Sequence, residues 1–153
     1  MVLNNVLMLG LMNPQKGLLT DSPDHVVTKY AHPRILVVED EPMLAGMLEI
    51  AFRTWGYEVS VARNGQEGLD VLGTQSVNGI LLDMHMPTMD GRTMLDELRW
   101  AGYKLPVWVM SGGSDVQALR QLLDEGAQGF FVKPFRLQSL KESFDQTFLS
   151  FES

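Results

Sequence analysis

The sequence predicts an α/β fold: a five-stranded parallel sheet, doubly wound by helices as (βα)5. Three observations carry that reading. From residue 34 onward, five short apolar runs alternate with five stretches of helical periodicity. The second run, unlike the others, alternates polar and apolar residues, as a strand at a sheet edge does. Four of the five runs end in a carboxylate, a hydroxyl or an ammonium, and strand ends are where open α/β sheets bind ligands.

Ile35 to Val38 is the first apolar run, ending abruptly in Glu39-Asp40-Glu41. Leu44, Met47, Leu48, Ala51 and Trp55 then mark one face of a helix that stops at Gly56. Tyr57 to Val61 is the alternating strand, and a helix follows from about Gln66 to Leu72. Ile80 to Leu82 is a buried run ending at Asp83, with a helix from about Thr88 to Trp100. Val107 to Met110 ends at Ser111, and Val116, Leu119, Leu122 and Leu123 mark the next helix, closed by Gly126. Phe130 to Val132 is the fifth strand, and Leu137, Leu140, Phe144, Phe148 and Phe151 form a helical stripe to the end. Strands alternating with helices imply a parallel sheet with right-handed crossovers. With the second strand at an edge, the five strands take the order 2-1-3-4-5 of flavodoxin-like sheets.

A chain of 153 residues fits one domain with a modest extension. The absence of cysteine excludes disulfides, thiolate metal sites and cysteine nucleophiles. In residues 1–33, Lys16 and Lys29 cancel Asp21 and Asp24, so the formal charge of −7 belongs to residues 34–153. An acidic surface has no footprint for nucleic acid or anionic membrane. The partners expected from charge are therefore proteins and divalent cations, with no direct nucleic acid and no membrane. Residues 1–33 show no sustained period and carry turn formers at Asn13-Pro14, Gly17, Ser22-Pro23 and Pro33, so a poorly ordered extension is expected there and a domain over 34–153. The apolar stretch Val2 to Met12 lacks the basic flank and cleavage site of a targeting signal and is too short to span a bilayer. A soluble, cytoplasmic protein is expected.

In the predicted fold Glu39 and Asp40 close the first strand, Asp83 the third, Ser111 the fourth and Lys133 the fifth. All five converge on one crevice. Clustered carboxylates repel, and one should have a raised pKa unless a cation joins them. Magnesium suits such a site, because it takes oxygen ligands and keeps positions open for water or phosphate. An Asp after a strand is, taken alone, more often a helix cap than a catalytic group. The whole set together is what phosphoryl transfer requires.

The segments Ile35-Leu-Val-Val-Glu-Asp-Glu41, Leu81-Leu-Asp-Met-His-Met-Pro-Thr-Met-Asp-Gly91, Val109-Met-Ser-Gly112 and Gly129-Phe-Phe-Val-Lys-Pro-Phe135 resemble the receiver domain of bacterial response regulators in two-component signalling. The single-domain chemotaxis regulator is its best-known form, and the resemblance runs from Arg34 to about Phe151. It implies that Asp83 is the phosphoacceptor, supplied by a phosphohistidine on a sensor histidine kinase or histidine phosphotransfer protein. Asp40 and Asp83 would bind Mg2+ (or Mn2+) directly, Glu39 through water, and His85 through its backbone carbonyl. Ser111 and Lys133 would bond the phosphoryl group. Ser111 and Phe130 would form the switch, acting on a downstream protein target through the face of the fourth helix, fifth strand and fifth helix. A cis Lys133–Pro134 bond is implied too, and His85 and Gly113 stand where phosphoryl lifetime is tuned. Such a domain modifies itself, with water later removing the phosphoryl group, and is no enzyme turning over a free substrate.

Rival chemistries fit less well. A haloacid-dehalogenase-like phosphatase carries Asp-x-Asp at this strand end, and here the second position is His85. A nucleotide-binding GTPase needs a Gly-x-x-x-x-Gly-Lys loop after the first strand, where this chain is acidic. Acidic strand ends would likewise repel the cofactor phosphate of a flavodoxin-like electron carrier. The remaining alternative is a phosphate-independent protein-interaction module on the same fold.

Overall fold

The apolar runs become strands wherever β-branched and aliphatic residues fill both faces of a sheet. The computed structural model describes residues 26–28, 32–113 and 115–151. In chain order the elements are β1 (Val26–Thr28), β2 (Arg34–Val38), α1 (Pro42–Thr54), β3 (Glu58–Ala62), α2 (Gly65–Thr74), β4 (Gly79–Asp83), α3 (Gly91–Trp100), β5 (Val107–Ser111), α4 (Val116–Asp124), β6 (Gly129–Val132), α5 (Leu137–Phe148) and β7 (Leu149–Phe151). The main sheet is parallel throughout and ordered β3-β2-β4-β5-β6, which is 2-1-3-4-5 over its own five strands. Every residue of β4 and β5 is buried, while edge strand β3 buries Val59 and Ala62 and, against the expected alternation, leaves Val61 exposed.

Side-chain alternation along the strands divides the core into two layers. Leu36, Val38, Ile80, Leu82, Val107 and Val109 join Met94, Leu95 and Leu98 of α3 and Leu119 and Leu122 of α4. On the other face Trp108 stacks on Phe144 of α5 with ring centroids 4.0 Å apart, and Phe144 meets Phe52 of α1 edge-on at 4.8 Å. The chain divides into two compact units, one of residues 30–144 and one combining both ends. Within the second, β1 pairs antiparallel with β7, Val26 opposite Phe151 and Thr28 opposite Leu149.

Several elements differ from the sequence reading. Met47 is exposed, whereas Phe52, four residues after Leu48, is fully buried and takes the inner face of α1. The third helix begins at Gly91 rather than Thr88, because the Asp90 carboxylate caps it by accepting from the Thr93 N–H at 2.9 Å. Helix α5 ends at Phe148, and Phe151 of the expected stripe lies in β7. A three-residue strand, β1, falls within the stretch read as an extension, while residues 1–25 and 29–31 lie outside the described ones. Among the described residues no helix is long and apolar enough to cross a membrane.

Candidate functional site

Parallel strands all end on the same side of a sheet, so the polar residues after β2, β4, β5 and β6 meet there. The Glu39 amide continues the ladder by donating to the Ala62 carbonyl at 3.0 Å, which holds its side chain inside. That carboxylate is 1% exposed, accepting from the Glu41 amide at 3.1 Å and from the Lys133 ammonium at 3.2 Å. Glu41 in turn caps α1 by accepting from the Leu44 N–H at 2.6 Å, with Pro42 in the first turn. Asp40, between them, is left exposed. Asp83, the last residue of β4, is buried and accepts from Lys133 Nζ at 3.3 Å. The Lys133 amide donates to the Ser111 carbonyl at 2.7 Å, and a cis peptide joins it to Pro134.

One oxygen from each of Glu39, Asp40 and Asp83 lies within 4.8 Å of the others. Against these three carboxylates stands the Lys133 ammonium. Burial, reinforced by the Asp83 charge, pushes Glu39 above its ordinary 4.5, although the Glu41 amide and Lys133 pull the other way. This is the raised carboxyl the sequence reading anticipates. Burial acts to lower Lys133, but Asp83 and Glu39 outweigh it and hold the ammonium above its ordinary 10.5. The donor set is all oxygen and retains excess negative charge after the lysine is counted, so the cluster could hold a hard divalent cation.

The structure thus brings Glu39, Asp40, Asp83 and Lys133 into one group. Ser111 is buried at the end of β5, and its hydroxyl accepts from the Gly113 amide at 3.0 Å. Phe130 is half-buried against the core. His85 is exposed and its amide approaches Asp83 Oδ1 at 3.4 Å, a weak bond. An open cavity of about 460 Å³ lies at the opposite ends of the strands, lined by His32, Arg34, Glu58, Gln75, Ser76 and Asn78. Its Arg34 is already paired with Glu58 at 2.6 Å.

The bracing of the loop after Asp83 is not visible in residue types. The Met84 amide donates to the Met110 carbonyl at 3.0 Å, and the Gly65 amide reaches over to the Met89 carbonyl at 3.1 Å. Between them the Met89 amide donates to the Pro87 carbonyl at 2.8 Å, closing a turn around Thr88 at φ +71°. Positive φ is strained for a β-branched residue. Gly65, directly after the Asn64 cap of α2, is the one sequence signal of that close approach.

Known proteins resemble this chain over most of its length. The chain is 32% identical over 114 residues to a probable C4-dicarboxylate response regulator, DctR, of Priestia megaterium, covering 73% of this chain and 50% of that protein. It is 37% identical over 113 residues to the transcriptional regulatory protein PrrA of Mycobacterium leprae, covering 74% and 48%. The response regulator TrrA of Thermotoga maritima, crystallised in complex with Mg2+-BeF, superposes with a TM-score of 0.67 at 29% identity, covering 74% of this chain and 97% of that one. The chain spans about half the length of the curated relatives it matches. The partner expectation drawn from charge needs correcting here. Acidity excludes direct nucleic acid in the sequence reading, yet PrrA is a transcriptional regulatory protein, and the charge of this stretch says nothing of the rest of such a protein. The family model described as response regulator receiver domain matches residues 35–145, within which Asp83, Ser111 and Lys133 all fall, and the chain belongs to that family.

Proposed function

We propose that residues 34–153 accept a phosphoryl group from a phosphohistidine onto Asp83 and thereby switch a protein-binding face. The observation that carries this reading is the buried Asp83 carboxylate with the Lys133 ammonium at 3.3 Å and the Glu39 and Asp40 oxygens within 4.8 Å. An Asp83 oxygen forms the bond to phosphorus as the phosphorus–nitrogen bond to the donor imidazole breaks. The imidazole leaves with the electron pair and takes a proton from solvent. Lys133 steadies the Asp83 carboxylate before attack and the phosphoryl oxygens after it. The Ser111 hydroxyl leaves the Gly113 amide and donates to a phosphoryl oxygen. Water later cleaves the acyl phosphate, so the domain acts on itself and turns over no free substrate.

Asp40 and Asp83 would hold Mg2+ directly, Glu39 through water and His85 through its carbonyl, and Mn2+ suits the same oxygen donors. Bound there, the ion supplies the positive charge that offsets the phosphoryl oxygens. The relative solved with Mg2+-BeF supports that assignment. Movement of Ser111 opens space into which half-buried Phe130 turns, biasing the face formed by α4, β6 and α5. Phosphoimidazole tests the donor chemistry. Incubation with Mg2+ should add one phosphoryl group to the wild type and none in EDTA or in Asp83→Asn. Equal labelling of wild type and variant would overturn the assignment.

A further inference from the structure

We infer that Gly91 is a positioning residue for the phosphoacceptor, because its missing side chain lets the start of α3 seat directly on the main chain of Asp83. The inference rests on the reading of Asp83 as acceptor. A Cβ at position 91 would lie 2.3 Å from the Asp83 carbonyl oxygen, 2.9 Å from Met84 Cα and 3.0 Å from the Asp83 carbonyl carbon. All three are backbone atoms, so no side-chain tip can swing aside. Gly91 does not have positive φ, and the need for glycine here is one of space alone.

Other glycines show how particular this is. A Cβ at Gly46 or Gly73 would meet nothing within 4 Å, and at Gly68 the nearest atoms belong to the flexible end of Met94. At Gly91 both sides of the contact are anchored. Asp83 pairs with Met110 in the sheet, and the Met84 amide bonds the Met110 carbonyl. Helix α3 is fixed by the buried Met94, Leu95 and Leu98. The connecting loop is held at Gly65 and already strained at Thr88, so it has little slack to absorb a displacement.

Reaching even 3.0 Å from 2.3 Å requires a shift of about 0.7 Å between Gly91 and Asp83. A misplacement of about 1 Å at a reacting centre lowers rates by about 10²-fold. Gly91 therefore sets where the Asp83 carboxylate stands, although its own atoms touch no reactant.

The test compares wild type, Gly91→Ala and the control Gly73→Ala by two readouts. The first is the 1H–15N spectrum of each unphosphorylated protein, which needs no donor. Gly91→Ala should shift the Asp83, Met84 and His85 amides most, and Gly73→Ala should leave them in place. The second is the rate of phosphoryl gain from acetyl phosphate with saturating Mg2+, taken per folded molecule from unfolding curves. Gly91→Ala should be about 10- to 100-fold slower, with Gly73→Ala at the wild-type rate. A merely structural glycine would lower the folded fraction and leave the rate per folded molecule unchanged, which overturns the inference. If Gly91→Ala does not fold, the double variant with Thr88→Gly, whose loop can yield, takes its place. Unfolding of both would overturn it too, since the displacement is then not local. A wild type that gains no phosphoryl group sinks the acceptor reading, while the amide shifts still decide the contact.

Discussion

Replacing Asp83 by Asn should make the metal-free protein more stable while destroying its chemistry. Asp83 takes part in two repulsions at 4.8 Å or less and one attraction at 3.3 Å. At an effective dielectric constant of about 20, each repulsion is worth at least about 3.5 kcal/mol and the attraction about 5 kcal/mol. The difference favours neutralisation by about 2 kcal/mol, and solvent at exposed Asp40 and partly exposed Lys133 screens it to about 1 kcal/mol. Asn preserves shape and can still accept from Lys133. In calorimetry with EDTA at neutral pH, Asp83→Asn should therefore melt about 3–5 °C above wild type. Saturating Mg2+ should reverse the order, because the wild type gains about 2.7 kcal/mol at a hundred times its Kd and the variant gains far less.

The pH dependence supplies an independent sign. Burial first, then the Asp83 charge, raises Glu39 above 4.5. The folded state then binds more protons than the unfolded one, so the Glu39 contribution is full below 4.5 and is lost as pH rises through the raised value. Metal-free wild type should lose stability over that range, and Asp83→Asn should flatten the loss. A metal-free Asp83→Asn less stable than wild type at neutral pH would refute the reasoning.

Asp90→Ala removes the cap of α3 and should cost about 1 kcal/mol in urea titrations near neutral pH; no measurable cost would deny the cap. The hydrogen bonds from Thr93 lower Asp90 below 3.8, so its contribution is present above 3.8 and lost as pH falls through the depressed value, a limb the variant should lack. Phe144→Ala empties a fully buried site between Phe52 and Trp108 and should cost about 3–5 kcal/mol by denaturant unfolding. A cost below about 1 kcal/mol would show that this aromatic layer collapses without penalty.

The sheet order and the polar strand ends were legible because both are one-dimensional patterns. An apolar run such as Ile80 to Leu82 must be buried, and the Asp that ends it must then stand at the carboxyl end of its strand with its counterparts. Counting like charges gave the direction of the Glu39 shift but not its main cause, which is burial, with the Asp83 charge adding to it. What the pattern misplaced depends on competition between neighbours. Met47 and Phe52 both fit a helical stripe, and the larger aromatic takes the core beside Phe144. Thr88 looks like the start of a helix until Asp90 offers the better cap. The fit of Gly91 against Asp83 is a distance between backbones far apart in local structure, and residue type alone marks it only as a turn former. Charge misled on nucleic acid for another reason, since a net charge describes the stretch that carries it and no more.

The most direct measurement is intact mass after incubation with acetyl phosphate and Mg2+, for wild type and Asp83→Asn side by side. A metal-dependent gain of one phosphoryl group, present in the wild type and absent from the variant, is the predicted result. A gain of equal size in the variant, or none in a folded wild type offered acetyl phosphate and then phosphoimidazole, would contradict Asp83 as the acceptor.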